Sequence, residues 1–249
     1  EWAVGDRVCA LLPGGGYAEQ VAVPAGMLIG LPDDWTYAMG AAIPEVWLTA
    51  FLNLFIEGRL QAGERALIHA GGSGVGTAAI QLVRAAEATA YATAGAEFKL
   101  EKCRELGAAL AVNYKKMDWL PEIMAVTGGE GVDVILDPVG ADYLQRDLRA
   151  LRENGRLVHI GLLSGSQAEL NLGLVMGKSL RLIGSRLRPR PVAEKIAITR
   201  QFQERFWPLL EDGTLSPIID CQFPIMEAGA AHEYVRQNKN LGKVILTVD

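Results

Sequence analysis

At 249 residues with half of them hydrophobic, the chain can bury a full α/β core in one or two domains. A formal charge of −5 gives no basic footprint, so nucleic acid is not an expected partner. Apolar runs are interrupted short of the ~20 residues a membrane span needs, and no charged-then-apolar signal opens the chain. The three cysteines, Cys9, Cys103 and Cys221, are scattered and odd in number. They fit a reducing compartment without a disulfide or zinc framework, and together these features predict a cytoplasmic protein with no membrane partner.

Residues 1–45 read as short strands broken by turns, of β-barrel texture. Gly5-Asp6 leads into a strand from Arg7 to Leu11, and Tyr17 to Pro24 forms a second extended piece. A loop over Gly30–Trp35 follows, with Asp33 or Asp34 available to cap a helix from about Thr36. Ala50, Phe51, Leu54 and Phe55 give an amphipathic helix that ends near Gly58.

From there apolar strands alternate with helices. The strands are expected at Ala66–Ala70, Thr89–Ala94, Ala109–Asn113, Val132–Asp137, Arg156–Gly161 and Leu180–Ser185. The helices between them fall near Gly74–Ala88, Phe98–Leu106, Trp119–Val126 and Tyr143–Leu151. Such alternation predicts a parallel sheet covered on both faces. A proline-broken basic loop at 186–191 ends the pattern, before a long helix at Val192–Glu211. Two further strands, Ile218–Phe223 and Val244–Val248, then flank a helix from Met226 to about Arg236.

The first strand of the alternation ends in Gly71-Gly72-Ser73-Gly74-Val75-Gly76 and a helix follows at once. This strand–turn–helix is the context in which backbone N–H groups at a helix start meet a pyrophosphate. The middle glycine of the usual fingerprint is replaced by Ser73, whose hydroxyl could bond phosphate or ribose. An acid at the end of the second strand would hold the ribose of NAD, yet the chain reads Tyr91-Ala92-Thr93-Ala94-Gly95 there. Lys99 and Tyr114 downstream can meet a 2′-phosphate, which favours NADPH, while Glu97 would repel one if it faced inward. Against these stand the plainer readings: Lys99 as a solvated helix charge and Tyr114 as an edge-packing aromatic. His69 and His159 read as structural strand residues and His232 as exposed, and none makes a metal-ligand spacing with cysteine.

Ile68 to Leu82, containing that turn, resembles the zinc-independent quinone oxidoreductases of the medium-chain dehydrogenase/reductase superfamily, the zeta-crystallin-like branch. Leu11 to Gly16, Ala41 to Phe51, Asn113 to Lys116 and Asn238 to Lys243 resemble it in the same order, over essentially the whole chain. The resemblance implies an α/β fold: a Rossmann doubly wound parallel sheet plus a split, incomplete GroES-like β-barrel catalytic domain. The expected division is 1–45 for the catalytic remnant, 46–185 for the NADPH domain and 186–249 for the return to the catalytic domain. It implies that Ser73, Gly74, Val75 and Gly76 hold the pyrophosphate and that Gly95, Lys99 and Tyr114 receive the 2′-phosphate. Thr49, Gly161 and Leu162 would lie near the nicotinamide, with Ser185 in a loop closing over it.

The activity implied is zinc-independent NADPH-dependent reduction of a small quinone by a homodimer or homotetramer. Dimers would pair sheet edges near Leu180–Ser185. Catalytic groups of relatives lie in a segment expected upstream of Glu1, so none is named. Reduction of α,β-unsaturated aldehydes or ketones stays open as an alternative, as does a non-catalytic NADPH-binding role.

Overall fold

The computed structural model describes residues 2–248. Two compact units emerge, Glu1–Thr49 with Leu187–Asp249, and Ala50–Arg186.

In the first unit, strand β1 (Val8–Ala10) pairs antiparallel with β2 (Leu28–Gly30). The extended piece Tyr17–Pro24 enters no ladder; the partner strand lies later, where Leu28 and Ile29 continue a turn of 3₁₀ helix. Arg7 secures the loop that follows by donating to the carbonyls of Pro32, Asp33 and Trp35. Helix α1 (Tyr37–Ala41) is capped by Thr36, whose Oγ1 accepts from Met39 N at 3.2 Å, and not by Asp33 or Asp34.

Helix α2 (Pro44–Phe51) runs on into a π-helical turn, Leu52–Glu57. The helical stretch Tyr37–Glu57, 21 residues, is long and apolar enough to cross a membrane by length and composition, contrary to the expectation from sequence. Some 67% of its most apolar window is buried within the molecule, as in a core helix.

The second unit carries β3 (Arg65–Ile68), α3 (Gly74–Ala85), β4 (Thr89–Ala94), α4 (Glu97–Glu105) and β5 (Ala108–Asn113). Then come α5 (Trp119–Val126), β6 (Val132–Asp137), α6 (Leu144–Ala150), β7 (Leu151–His159), α7 (Leu172–Gly177) and β8 (Arg181–Gly184). The six strands form one all-parallel sheet in the order β5-β4-β3-β6-β7-β8. This is the Rossmann order, whose topological switch point lies between β3 and β6. Leu67, Ile135 and Leu157 of the sheet pack with Trp119, Ile123 and Leu148 of α5 and α6 in one buried cluster. Ala70, expected in the first strand, lies outside it: β3 stops at Ile68, and Ala70 turns the chain with φ of +54°.

The chain then returns to the first unit with α8 (Val192–Glu211), β9 (Ile219–Pro224), α9 (Ala228–Arg236) and β10 (Lys243–Thr247). Strands β9 and β10 pair in parallel around α9. Phe202 and Trp207 of α8 pack on Trp47 and Trp35, with ring centroids 6.4 and 5.4 Å apart.

Candidate dinucleotide site

The predicted residues of the second unit gather at one edge of its sheet. Ser73 to Gly76 follow β3, Gly95 follows β4, Tyr114 follows β5, Gly161 and Leu162 follow β7, and Ser185 follows β8. In an open parallel sheet the carboxyl ends of the strands, around the switch point, form the ligand crevice.

The glycine turn is built by close packing. A Cβ on Gly76 would stand 2.4 Å from Ala70 O and 2.7 Å from Gly71 Cα, so only glycine lets α3 start this near the turn. Ser73 caps that helix: its Oγ accepts from Gly76 N at 3.0 Å. The hydroxyl hydrogen remains available to a phosphate, and Gly74 and Val75 supply N–H groups of the kind every helix start leaves without an intrahelical partner. On the sheet side, Gly71 N donates to Thr93 O at 2.8 Å.

Gly95 and Tyr114 are brought together. A Cβ at Gly95 would lie 2.7 Å from Tyr114 Oη and 3.0 Å from Lys115 Cε. Lys115 lies within the Asn113–Lys116 stretch that carries part of the family resemblance, but the sequence assigns it no role in the site. Lys99 is not a solvated helix charge: the residue is buried, and a Cβ on Gly72 would meet its stem at 2.8 Å. Glu97 pairs with Arg104 at 3.4 Å, on the flank of α4. Tyr114 is partly exposed, its ring edge-on to Tyr143 at 6.4 Å.

On the other side of the switch point, the turns after β6 and β7 lock together. Asp137 accepts from Val139 N at 2.6 Å and Gly140 N at 3.0 Å, and its Oδ2 lies 2.9 Å from His159 Nδ1. That contact raises the His159 pKa above its ordinary value, against the opposing effect of burial. Leu163 N and Ser164 N donate to Pro138 O and Val139 O. Gly161 runs so close to Pro138 that a Cβ would meet its carbonyl oxygen at 2.8 Å, whereas the Leu162 side chain is exposed. Ser185 is buried, its N donates to His159 O, and its Oγ has no hydrogen-bond partner among the described residues. Thr49 is half-buried on α2 and belongs to the other unit.

Beneath the glycine turn lies a polar pair that sequence alone could not show. His69 is buried with Nδ1 2.9 Å from Thr93 Oγ1 and Nε2 2.9 Å from Asp147 Oδ1. Burial pushes the Asp147 pKa up to about 6, with His69 pulling the other way.

The first unit holds a cavity of ≈ 830 Å³, lined by Cys9, Tyr17, Tyr37, Glu45 and Lys243 among others. None of the predicted site residues lines it; those of the second unit lie at its strand edges instead. Among the described residues, no group of three or more His, Cys, Asp or Glu could hold a metal. The three histidines are engaged with Asp147, Asp137 and Tyr17.

The sheet order, the glycine turn and the strand-edge residues define a dinucleotide-binding α/β protein, and the residues present fit a nicotinamide dinucleotide. The zinc-binding dehydrogenase family matches residues 74–203. A 2-haloacrylate reductase of Burkholderia is 30% identical over 99% of this chain and 75% of its own length. The quinone oxidoreductase of Rattus norvegicus is 32% identical over 97% of this chain and 72% of its own. Among solved structures, the quinone oxidoreductase of Thermus thermophilus, described with its NADPH complex, is similar with a TM-score of 0.86 and 32% identity. That likeness covers 98% of this chain and 78% of the Thermus protein. The chain belongs to the zinc-binding dehydrogenase family, within the medium-chain dehydrogenase/reductases, and is an oxidoreductase of that family.

Proposed function

We propose that this chain is an NADPH-dependent, zinc-independent reductase of small quinones that works as a cytoplasmic homodimer or homotetramer. The observation that carries the cofactor reading is the bare backbone at Gly95, overlain by Tyr114 Oη where an NAD-specific site would present an acid. When bound, the nicotinamide supplies the hydride. The protein aligns it, with Ser73, Gly74, Val75 and Gly76 holding the pyrophosphate and Gly95, Lys99 and Tyr114 the 2′-phosphate. Gly161, Leu162 and Ser185 are assigned to the nicotinamide end. A flat quinone needs a slot of few charges and no strong base. The quinone reading is supported by the rat and Thermus relatives.

A second reading is reduction of a conjugated C=C bond, supported by the similarity to a 2-haloacrylate reductase, because the same hydride geometry serves both. NADPH oxidation measured with 1,4-benzoquinone, larger quinones and enals separates the two. Faster turnover of enals than of every quinone would select the second reading. Tight NADPH binding with no turnover of any acceptor would leave only a non-catalytic role.

A further inference from the structure

The reading of the site as NADPH-specific rests on Lys99 and Tyr114, and Lys99 alone makes a constrained phosphate ligand. Its stem is packed on Gly72 and its Nζ lies 5.7 Å from the centroid of the Phe98 ring, so little of the side chain is at liberty to follow a ligand. Lys115 is placed differently. It is exposed, and its Cε lies 3.0 Å from where a Cβ on Gly95 would stand, a point that Tyr114 Oη approaches at 2.7 Å. Nζ is one bond further on. The loop that carries it is anchored: Tyr114 N donates to Ala94 O at 3.2 Å, and Lys115 N to Asn113 Oδ1 at 3.1 Å. The nearest acid of α4, Glu97, is engaged by Arg104.

Accepting the NADPH reading, we infer that Lys115 is a second cation for the 2′-phosphate and a specificity-determining residue of this site. It lies across the bare backbone of Gly95 as a point charge with rotatable donors. An ammonium on an exposed four-carbon stem near a tyrosine hydroxyl can settle on a doubly charged phosphate, forming a charge-assisted hydrogen bond that a 2′-hydroxyl could not match.

The test is the affinity of the full chain for adenosine 2′,5′-bisphosphate relative to adenosine 5′-monophosphate, measured by calorimetry at fixed low salt. The wild-type protein is expected to prefer the bisphosphate. Lys115→Ala should cut that preference by about tenfold, leaving the monophosphate affinity unchanged. Lys116→Ala removes the same charge from the next exposed residue and should leave the preference intact. The ratio of affinities is insensitive to partial loss of folded protein. Full preference retained in Lys115→Ala, or equal loss in Lys116→Ala, would overturn the role of Lys115 while the NADPH reading stands. A wild-type protein with no preference would overturn the NADPH reading itself.

Discussion

His69 Nε2 lies 2.9 Å from Asp147 Oδ1, and both side chains are sealed from solvent beneath the glycine turn. Residues 78 positions apart are thus joined where β3 meets α6. The other carboxylate oxygen, Asp147 Oδ2, is buried without a hydrogen-bond partner among the described residues. Such an oxygen is better protonated than charged, which is why burial raises this group to about 6.

A pH-dependent stability follows, with a definite sign. Between pH ~4 and 6 the folded state holds a proton on Asp147 that the unfolded chain has released, so stability falls as pH rises through that window. The raised pKa of His159 acts in the same direction at higher pH: its contribution is full below the ordinary histidine value and lost above it. Asp147→Asn removes the first effect while its amide can still donate to His69. The variant should therefore match the wild type near pH 4 and exceed it at pH 7 by roughly 3 kcal/mol at most. Urea unfolding of both proteins at several pH values reads the difference directly. A constant gap across the range would show that Asp147 stays ionised in the fold.

Gly76→Ala should destabilise the second unit by about 1–3 kcal/mol, because the new methyl would meet backbone atoms of Ala70 and Gly71 that cannot swing aside. The internal comparison is Gly177→Ala at the end of α7, where nothing lies within 4 Å of the added Cβ. There the gain in helix propensity stands alone, so the change should be neutral or stabilising by up to ~1 kcal/mol. Thermal unfolding midpoints moving together in the two variants would contradict the packing argument.

How much of this was legible beforehand depended on how local the cause was. Strands β4 and β6 and helices α5 and α8 fall at the expected residues. Their boundaries are local events: Asp118 caps α5, Gly131 at φ of +86° precedes β6, and Gly213 follows α8. Helix α7 gave no signal, since its six residues are too few for a period and only Leu174 and Val175 pack partly buried against the core. Strand β2 was hidden in the same way: three residues, recognisable only through their pairing with β1. In the candidate site, the strand–turn–helix at Gly71–Gly76 marked a phosphate-binding turn, and the family resemblance implied the other residues. Lys115 and Asp147 could not be picked out in either way, because their places are set by Gly95 and His69, distant in sequence. The pairing of Glu97 with Arg104, seven residues along, is likewise invisible without the fold.

Ser73 has two roles that substitutions can separate. As the N-cap of α3 its Oγ accepts from Gly76 N, and Ser73→Ala should cost about 1 kcal/mol of stability. Ser73→Asp restores the capping acceptor and complements the helix dipole, so stability should return to near that of the wild type. In the proposed site, however, its carboxylate would stand where the pyrophosphate is held, and like charges that close repel. NADPH affinity of Ser73→Asp, measured by quenching of protein fluorescence, should fall at least tenfold below that of Ser73→Ala, although the aspartate protein is the more stable of the two. Stability and affinity then move in opposite directions across the pair. If affinity instead rises with stability, Ser73 acts only as a cap and the phosphate lies elsewhere.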